Sequence, residues 1–233
     1  MYSIGFVITM WMAFLGYAQP LQQDTEATLI QNNQPTSRVV WHMPRQQRHV
    51  ALTFDDGPDE VVTPQLLTIL RQKNVKATFF LVGHMISKCP HIVDQIIADG
   101  HQIANHTWAH YRLDEMDQDQ IGLQFTATSR AMERLGHFMV PYVRPPGGRF
   151  NNYVIHAAKA QQLTMVMWDV NAADYKDMNG NLPDPTAIVR RVLKKVKPGS
   201  IVLMHNGEST VTALPQIIDA LVADAYTIGL LQW

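Results

Sequence analysis

The 233-residue chain has one cysteine, Cys89, so no intrachain disulfide can form and a cysteine-rich zinc site is excluded. Any metal must be held by His, Asp or Glu. No run of lysine and arginine exceeds a few positions, and 19 basic residues stand against 20 acidic ones for a formal charge of -1. That lack argues against a nucleic-acid footprint and against a polybasic membrane patch. The length suits one domain with a well-filled core and leaves little room for a second.

Charge is also missing from the first 18 residues, MYSIGFVITMWMAFLGYA, which end in Gly16-Tyr17-Ala18 with small residues where signal peptidases need them. Residues 1–18 read as a signal peptide, although no Lys or Arg precedes the apolar run. The competing reading is an uncleaved N-terminal anchor, because the run is near the lower limit for a span. Both imply a secreted, periplasmic or cell-envelope location; a cytoplasmic chain with a buried first helix is the remaining alternative. Residues 19–47 are rich in Gln, Asn and Thr without a sustained period and read as a polar linker or arm. The catalytic domain is expected over 48–233.

From His49 onward, short β-rich runs alternate with amphipathic stretches. Strands are expected at 50–54, 77–82, 101–104, 142–143, 163–168, 201–204 and 228–231, with helices between them. Repeated strand-helix units demand crossover connections and a mainly parallel sheet, closed as a barrel or open and doubly wound. Asp55-Asp56, Asn105-His106, Arg144, Asp169 and His205-Asn206 each end or follow an apolar strand. That is the edge where α/β folds collect catalytic groups.

Two motifs carry the chemistry. In Thr53-Phe54-Asp55-Asp56-Gly57-Pro58, adjacent carboxylates at a strand end can point apart, so one can hold a metal while the other takes a proton. Alone, Asp-Asp-Gly-Pro is equally an ordinary turn. In Asn105-His106-Thr107-Trp108-Ala109-His110, histidines at i and i+4 are expected on one side of a helical turn, facing one ion. With an Asp they make a three-ligand set that leaves positions for water and substrate.

Over about residues 45–233 the chain resembles the polysaccharide deacetylases of the NodB-homology type, carbohydrate esterase family 4, which includes chitin and peptidoglycan deacetylases. Five separated motifs agree in order. The resemblance implies a distorted TIM-like (β/α) barrel of seven strands and removal of N-acetyl groups from N-acetylglucosamine-containing glycans. It implies Asp55 as general base, with Asp56, His106 and His110 holding one divalent ion, zinc first and cobalt or nickel as alternatives. Arg144, in Arg144-Pro145-Pro146, would hold the base, and the Gly147 N–H would help bind the oxyanion. Asp174 would orient and charge His205, the general acid, and Leu203 would line the pocket for the acetyl methyl.

Those roles agree with what amide hydrolysis needs: an activated water, a stabilised oxyanion and a proton for the departing amine. An Arg144 guanidinium beside Asp55 favours an ionised base, and Asp174 favours a protonated His205. The chain departs from the common pattern where Gly147-Gly148 replaces a frequent Tyr, implying a more open floor beside the metal, and where Asp174-Tyr175 replaces Asp-Trp. Tyr175 reads either as packing under the sugar site or as a substrate contact. Trp168 reads as core or as a sugar platform, and Trp108 as rim packing or a groove wall. His42, His49 and His137 read as surface residues, and His84, His91 and His101 as structural ones. The expected partner is an N-acetylated glycan, with no nucleic acid and no protein partner evident. A hydrolase of small non-peptide amides and a noncatalytic glycan-binding protein are the alternatives.

Overall fold

The computed structural model describes residues 39–233. The expected signal or anchor at 1–18 and the arm through residue 38 lie outside the described residues. Strands β1 (Val39–Val40), β2 (His49–Asp55), β3 (Thr78–Leu81), β4 (Gln102–Asn105) and β5 (Tyr142–Val143) are followed by β6 (Thr164–Val166), β7 (Val170–Asn171), β8 (Ile201–His205) and β9 (Thr227–Gly229). Helices α1 (Val62–Gln72), α2 (Gly83–Lys88), α3 (Pro90–Ala98), α4 (Gln118–Arg134), α5 (Asn152–Ala160), α6 (Pro185–Lys195) and α7 (Glu208–Ala223) connect them. Among the described residues, no helix is long and apolar enough to cross a membrane.

The strands form one sheet in the order β1-β6-β5-β4-β3-β2-β8-β7, with β9 beside the first half of β2. Every strand pairing is parallel. Side chains of β2 alternate between two cores, as strand geometry requires. Val50, Leu52 and Phe54 pack with Leu66, Leu67 and Leu70 of α1 and Ile92, Val93 and Ile96 of α3 in the layer between sheet and helices. Ala51 faces the other way and joins Phe80, Ala104, Val166 and Ile201 inside the curl.

The sheet is a curled, open half-barrel. Seven strands were expected and nine are present among the described residues; the additional ones, β1 and β7, are two-residue strands at the open edges. The expected strand at 163–168 is shortened to β6, which pairs with β5, and the chain beyond it forms β7, which pairs with β8. Residues 39–43, expected in the polar arm, straddle the seam. Val39 and Val40 pair with β6, whereas His42 bridges Ser200 and the Met43 N–H donates to the Gly199 carbonyl at 2.8 Å. Buried Val40 and Met43 explain the attachment, because their apolar surface belongs to the inner core.

Helix starts follow local chemistry. Asp117 and Gln120 form a reciprocal capping box at α4, Pro90 occupies the first turn of α3, and the Asp184 carboxylate caps α6. Helix α7 begins at Glu208, six residues before the expected Leu214, so it starts right after the β8 edge.

Candidate active site

Asp55 is the last residue of β2 and is in register with His205, the last residue of β8. Its side chain follows Ala51 and Thr53 to the inside of the curl and is 3% exposed. Arg144, immediately after β5, reaches it there. The guanidinium is fully buried: Nε donates to the Val166 carbonyl at 2.9 Å, Nη2 to the Met167 carbonyl at 3.1 Å, and Nη1 to Thr53 Oγ1 at 2.9 Å and Asp55 Oδ1 at 2.7 Å. Phe80 lies under it at 4.0 Å, and Trp168 stands 5.6 Å away. Burial pulls the Arg144 pKa down, while Asp55 works to restore the charge.

Asp56 turns away from its neighbour because its backbone is left-handed, with φ 80°. Its Oδ1 lies 3.3 Å from His106 Nε2 and 3.1 Å from His110 Nε2. Burial opposes ionisation of Asp56, but hydrogen bonds from both imidazoles hold it well below the usual carboxylate range. His106 is buried, and its Nδ1 meets the Arg144 carbonyl at 2.8 Å, which leaves Nε2 for the Asp56 side.

The two histidines do not share a helical turn. Residues 106–110 form a loop in which Thr107 and His110 are left-handed, with φ 68° and 57°. Short polar side chains outcompete the helix here: Asn105 Oδ1 accepts the Thr107 N–H at 2.8 Å, and Thr107 Oγ1 accepts the His110 N–H at 3.1 Å. The imidazoles still converge, with ring centroids 5.1 Å apart.

Asp56, His106 and His110 each offer a ligand atom, all within 4.8 Å of one another. Bonds of about 2.0–2.1 Å to a tetrahedral ion set its ligands about 3.3 Å apart, so the Asp56–His separations fit one divalent cation. Asp55 Oδ2 is 3.8 Å from His106 Nε2, at the border of that set.

On the other side of β2, the Asp174 carboxylate holds His205 twice, accepting its backbone N–H at 2.7 Å and meeting Nδ1 at 2.7 Å. The Thr210 hydroxyl of α7 also donates to Asp174. Burial disfavours the imidazolium, but the Asp174 hydrogen bond and charge, with Asp55 and Asp56 beyond, outweigh it and raise the His205 pKa to about 9. A cation held by Asp56 would oppose that rise. Tyr175, 55% exposed, stands edge-on to His205 with centroids 5.5 Å apart, and Leu203 is buried two residues before it on β8.

Gly147 and Gly148 lie in a tight turn with φ 62° and 68°. A Cβ on Gly148 would stand 2.6 Å from the Trp168 ring, whereas one on Gly147 would meet only Arg149 Cγ at 4.0 Å. Trp168 is therefore a partly buried wall between Gly148 and the Arg144 guanidinium.

The sequence pattern of polysaccharide deacetylases matches residues 42–166, a span that holds Asp55, Asp56, His106, His110 and Arg144. The chain belongs to the polysaccharide deacetylase family. It is 34% identical over 197 residues to a peptidoglycan-N-acetylglucosamine deacetylase of Bacillus cereus, covering 83% of this chain and 91% of the relative. It is 34% identical over 187 residues to a chitooligosaccharide deacetylase of Sinorhizobium fredii, covering 74% of this chain and 85% of the relative. A peptidoglycan N-acetylglucosamine deacetylase in complex with an N-hydroxybenzamide superposes with a TM-score of 0.77 at 35% identity, over 82% of this chain and 89% of that one.

One residue that the strand pattern placed at the active edge is elsewhere. Asp169 accepts the Ile201 N–H at 2.9 Å and the Ser200 hydroxyl at 3.0 Å, and pairs with Arg45 at 3.0 Å. It clamps the start of β8, four residues before His205, because the chain beyond β6 re-enters the sheet at β7. Thr53 and Thr210 were not singled out, and Asn206 was named only for its place at the end of a strand, yet all three support the site. Asn206 donates to Asp59 and accepts from Thr63 Oγ1 at 2.9 Å, tying the loop after Asp56 to the end of β8. The usable signal for Thr53 was register: it is the inward residue between Ala51 and Asp55.

Of the other histidines, His84, His91, His101 and His49 make contacts within the fold. His84 Nδ1 meets the Trp108 carbonyl at 2.9 Å, and His91 pairs with Glu60. His101 is buried on Phe79, its pKa lowered to about 4 by burial, and it accepts the Ala77 N–H. His49, expected at the surface, is half-buried and meets the Leu230 carbonyl at 3.1 Å. A cavity of about 410 Å³ lined by Met43, His49 and Trp233 lies at the opposite end of β2 from Asp55 and is apart from this chemistry.

Proposed function

We propose that the chain is a metal-dependent hydrolase that removes N-acetyl groups from N-acetylglucosamine-containing glycans, peptidoglycan or chitooligosaccharide, and releases acetate. The observation that carries this reading is the convergence on one sheet edge of the Asp56-His106-His110 cluster, the Arg144-Asp55 pair and the Asp174-His205 pair. A divalent ion held there, zinc in the first instance, would supply Lewis acidity to the acetyl carbonyl and make a nearby water more acidic. Asp55, fixed by Arg144, accepts the proton of the attacking water. The Gly147 N–H donates to the oxyanion that develops on the carbonyl oxygen. His205, oriented through Nδ1 by Asp174, delivers a proton from Nε2 to the departing amine nitrogen. Leu203 contacts the acetyl methyl, and Tyr175 and Trp168 flank the sugar.

Openness favours a polymer over a small amide. The Asp56 and His110 side chains are each 44% exposed, so the cluster is open to solvent and not enclosed in a pocket. The apolar start at residues 1–18 supports action at the cell envelope or outside it. The test is acetate release from peptidoglycan and chitooligosaccharides by metal-loaded protein. Binding without release under every pH and metal would leave a noncatalytic glycan binder; turnover of a small amide alone would favour the narrower hydrolase.

A further inference from the structure

We infer that Arg149 recognises a carboxylate on the glycan next to the N-acetylated sugar, so that the site selects anionic strands of the muramic-acid type over neutral ones. The inference rests on the deacetylase reading above. Arg149 follows Gly147-Gly148 directly and is exposed. Its Cγ is 4.0 Å from the position a Gly147 Cβ would take, so the side chain leaves the turn beside the residue assigned to the oxyanion. Neither glycine has a side chain to stand between them.

Among the described residues, the Arg149 side chain makes no hydrogen bond and no ion pair. The acid that feels its charge is Asp114, and that carboxylate is already held by Arg112 at 2.9 and 3.3 Å. The other charges on the same rim, Arg112 and Glu115, pair with each other at 2.6 Å. Arg149 therefore presents a fork of donors that no described residue uses, and a planar guanidinium matches a carboxylate in two parallel hydrogen bonds. A neutral N-acetylglucosamine strand offers only hydroxyls there. A muramic-type neighbour offers a carboxylate, either on its lactyl ether or on a peptide attached to it.

The experiment compares kcat/KM for acetate release from a chitooligosaccharide and from muramic-type strands of equal length, with free lactyl acid in one arm and attached peptide in the other. Wild type is expected to prefer an anionic strand, and the arm preferred identifies which carboxylate is read. In Arg149→Gln the anionic-to-neutral ratio should fall about ten- to a hundredfold, the span of one charge-assisted hydrogen bond. Arg149→Lys should recover part of the ratio, and added salt should lower it in wild type more than in Arg149→Gln. An unchanged ratio in Arg149→Gln, with wild type active on glycans, overturns the inference alone. Absence of acetate release by wild type from every strand overturns the deacetylase reading and the inference with it.

Discussion

Arg144 has no exposed surface, and its Nε, Nη1 and Nη2 donate to four different groups. Replacing it by Met would leave Asp55 as a buried carboxylate without its partner, a defect of about 3–5 kcal/mol. Thermal unfolding of Arg144→Met should therefore begin about 6–20 °C lower in a domain of this size; a shift within a degree would mean that Asp55 is satisfied by other groups. The His205 pair makes a pH prediction. His205 must be protonated to give its proton, so activity falls as pH rises through its pKa, which Asp174 helps raise against the effect of burial. Asp174→Asn removes the charge that favours the imidazolium, so the alkaline limb of kcat/KM should move toward acid pH. His205→Ala should depress amide hydrolysis far more than hydrolysis of an acetyl ester with an activated phenol, which leaves without protonation. Equal losses would mark His205 as an oxyanion or structural group. At this scale the charged residues were legible because few chemistries need Asp-Asp at one strand end and His at two others. Thr53 and Thr210 were not, since a hydroxyl on a strand or helix has no local signature until its partner is known.

At the scale of the element, short loops decide whether the side chains meet. The i, i+4 spacing of His106 and His110 suggested a helical turn, and the imidazoles do converge, but through a loop with two left-handed residues. Spacing alone could not reveal this, because the competing hydrogen bonds come from Asn105 and Thr107, whose alternatives to helix depend on the surrounding packing. The Pro146–Gly148 turn permits a paired test. Both glycines are left-handed, so an Ala at either position bears a backbone penalty of about 1–2 kcal/mol. Only at Gly148 would the new Cβ also strike Trp168, at 2.6 Å. Gly148→Ala should be the less stable variant in thermal or urea unfolding, and the ring shift it forces beside Arg144 should lower kcat/KM further. Equal stability would show that Trp168 moves aside freely and is no fixed wall.

For the whole molecule, alternation of strands and helices made the α/β class legible, and the resemblance added the curled barrel. The open seam was not legible. It depends on two-residue strands too short to carry a hydrophobic pattern and on a break after Val166 that sends the chain to a new partner. The curl brings together groups remote in sequence: Asp56 follows β2, His106 and His110 follow β4, and β3 lies between those strands. An ion shared by the three ligands would thus cross-link loops about fifty residues apart and favour the folded chain, where the ligands are brought together. At a free-metal concentration of 100 times Kd, such binding contributes about 2.7 kcal/mol. Chelation should then lower the melting temperature by about 5–11 °C. The far-UV spectrum should hardly change, because both cores are apolar and independent of the ligands. Adding back zinc, cobalt or nickel should restore melting temperature and acetate release together, and their order would identify the ion the cluster suits best. His106→Ala should abolish the melting response to metal. If that variant still gained several degrees on metal addition, the ion would be held elsewhere and the cross-link between the β2 and β4 loops would be wrong.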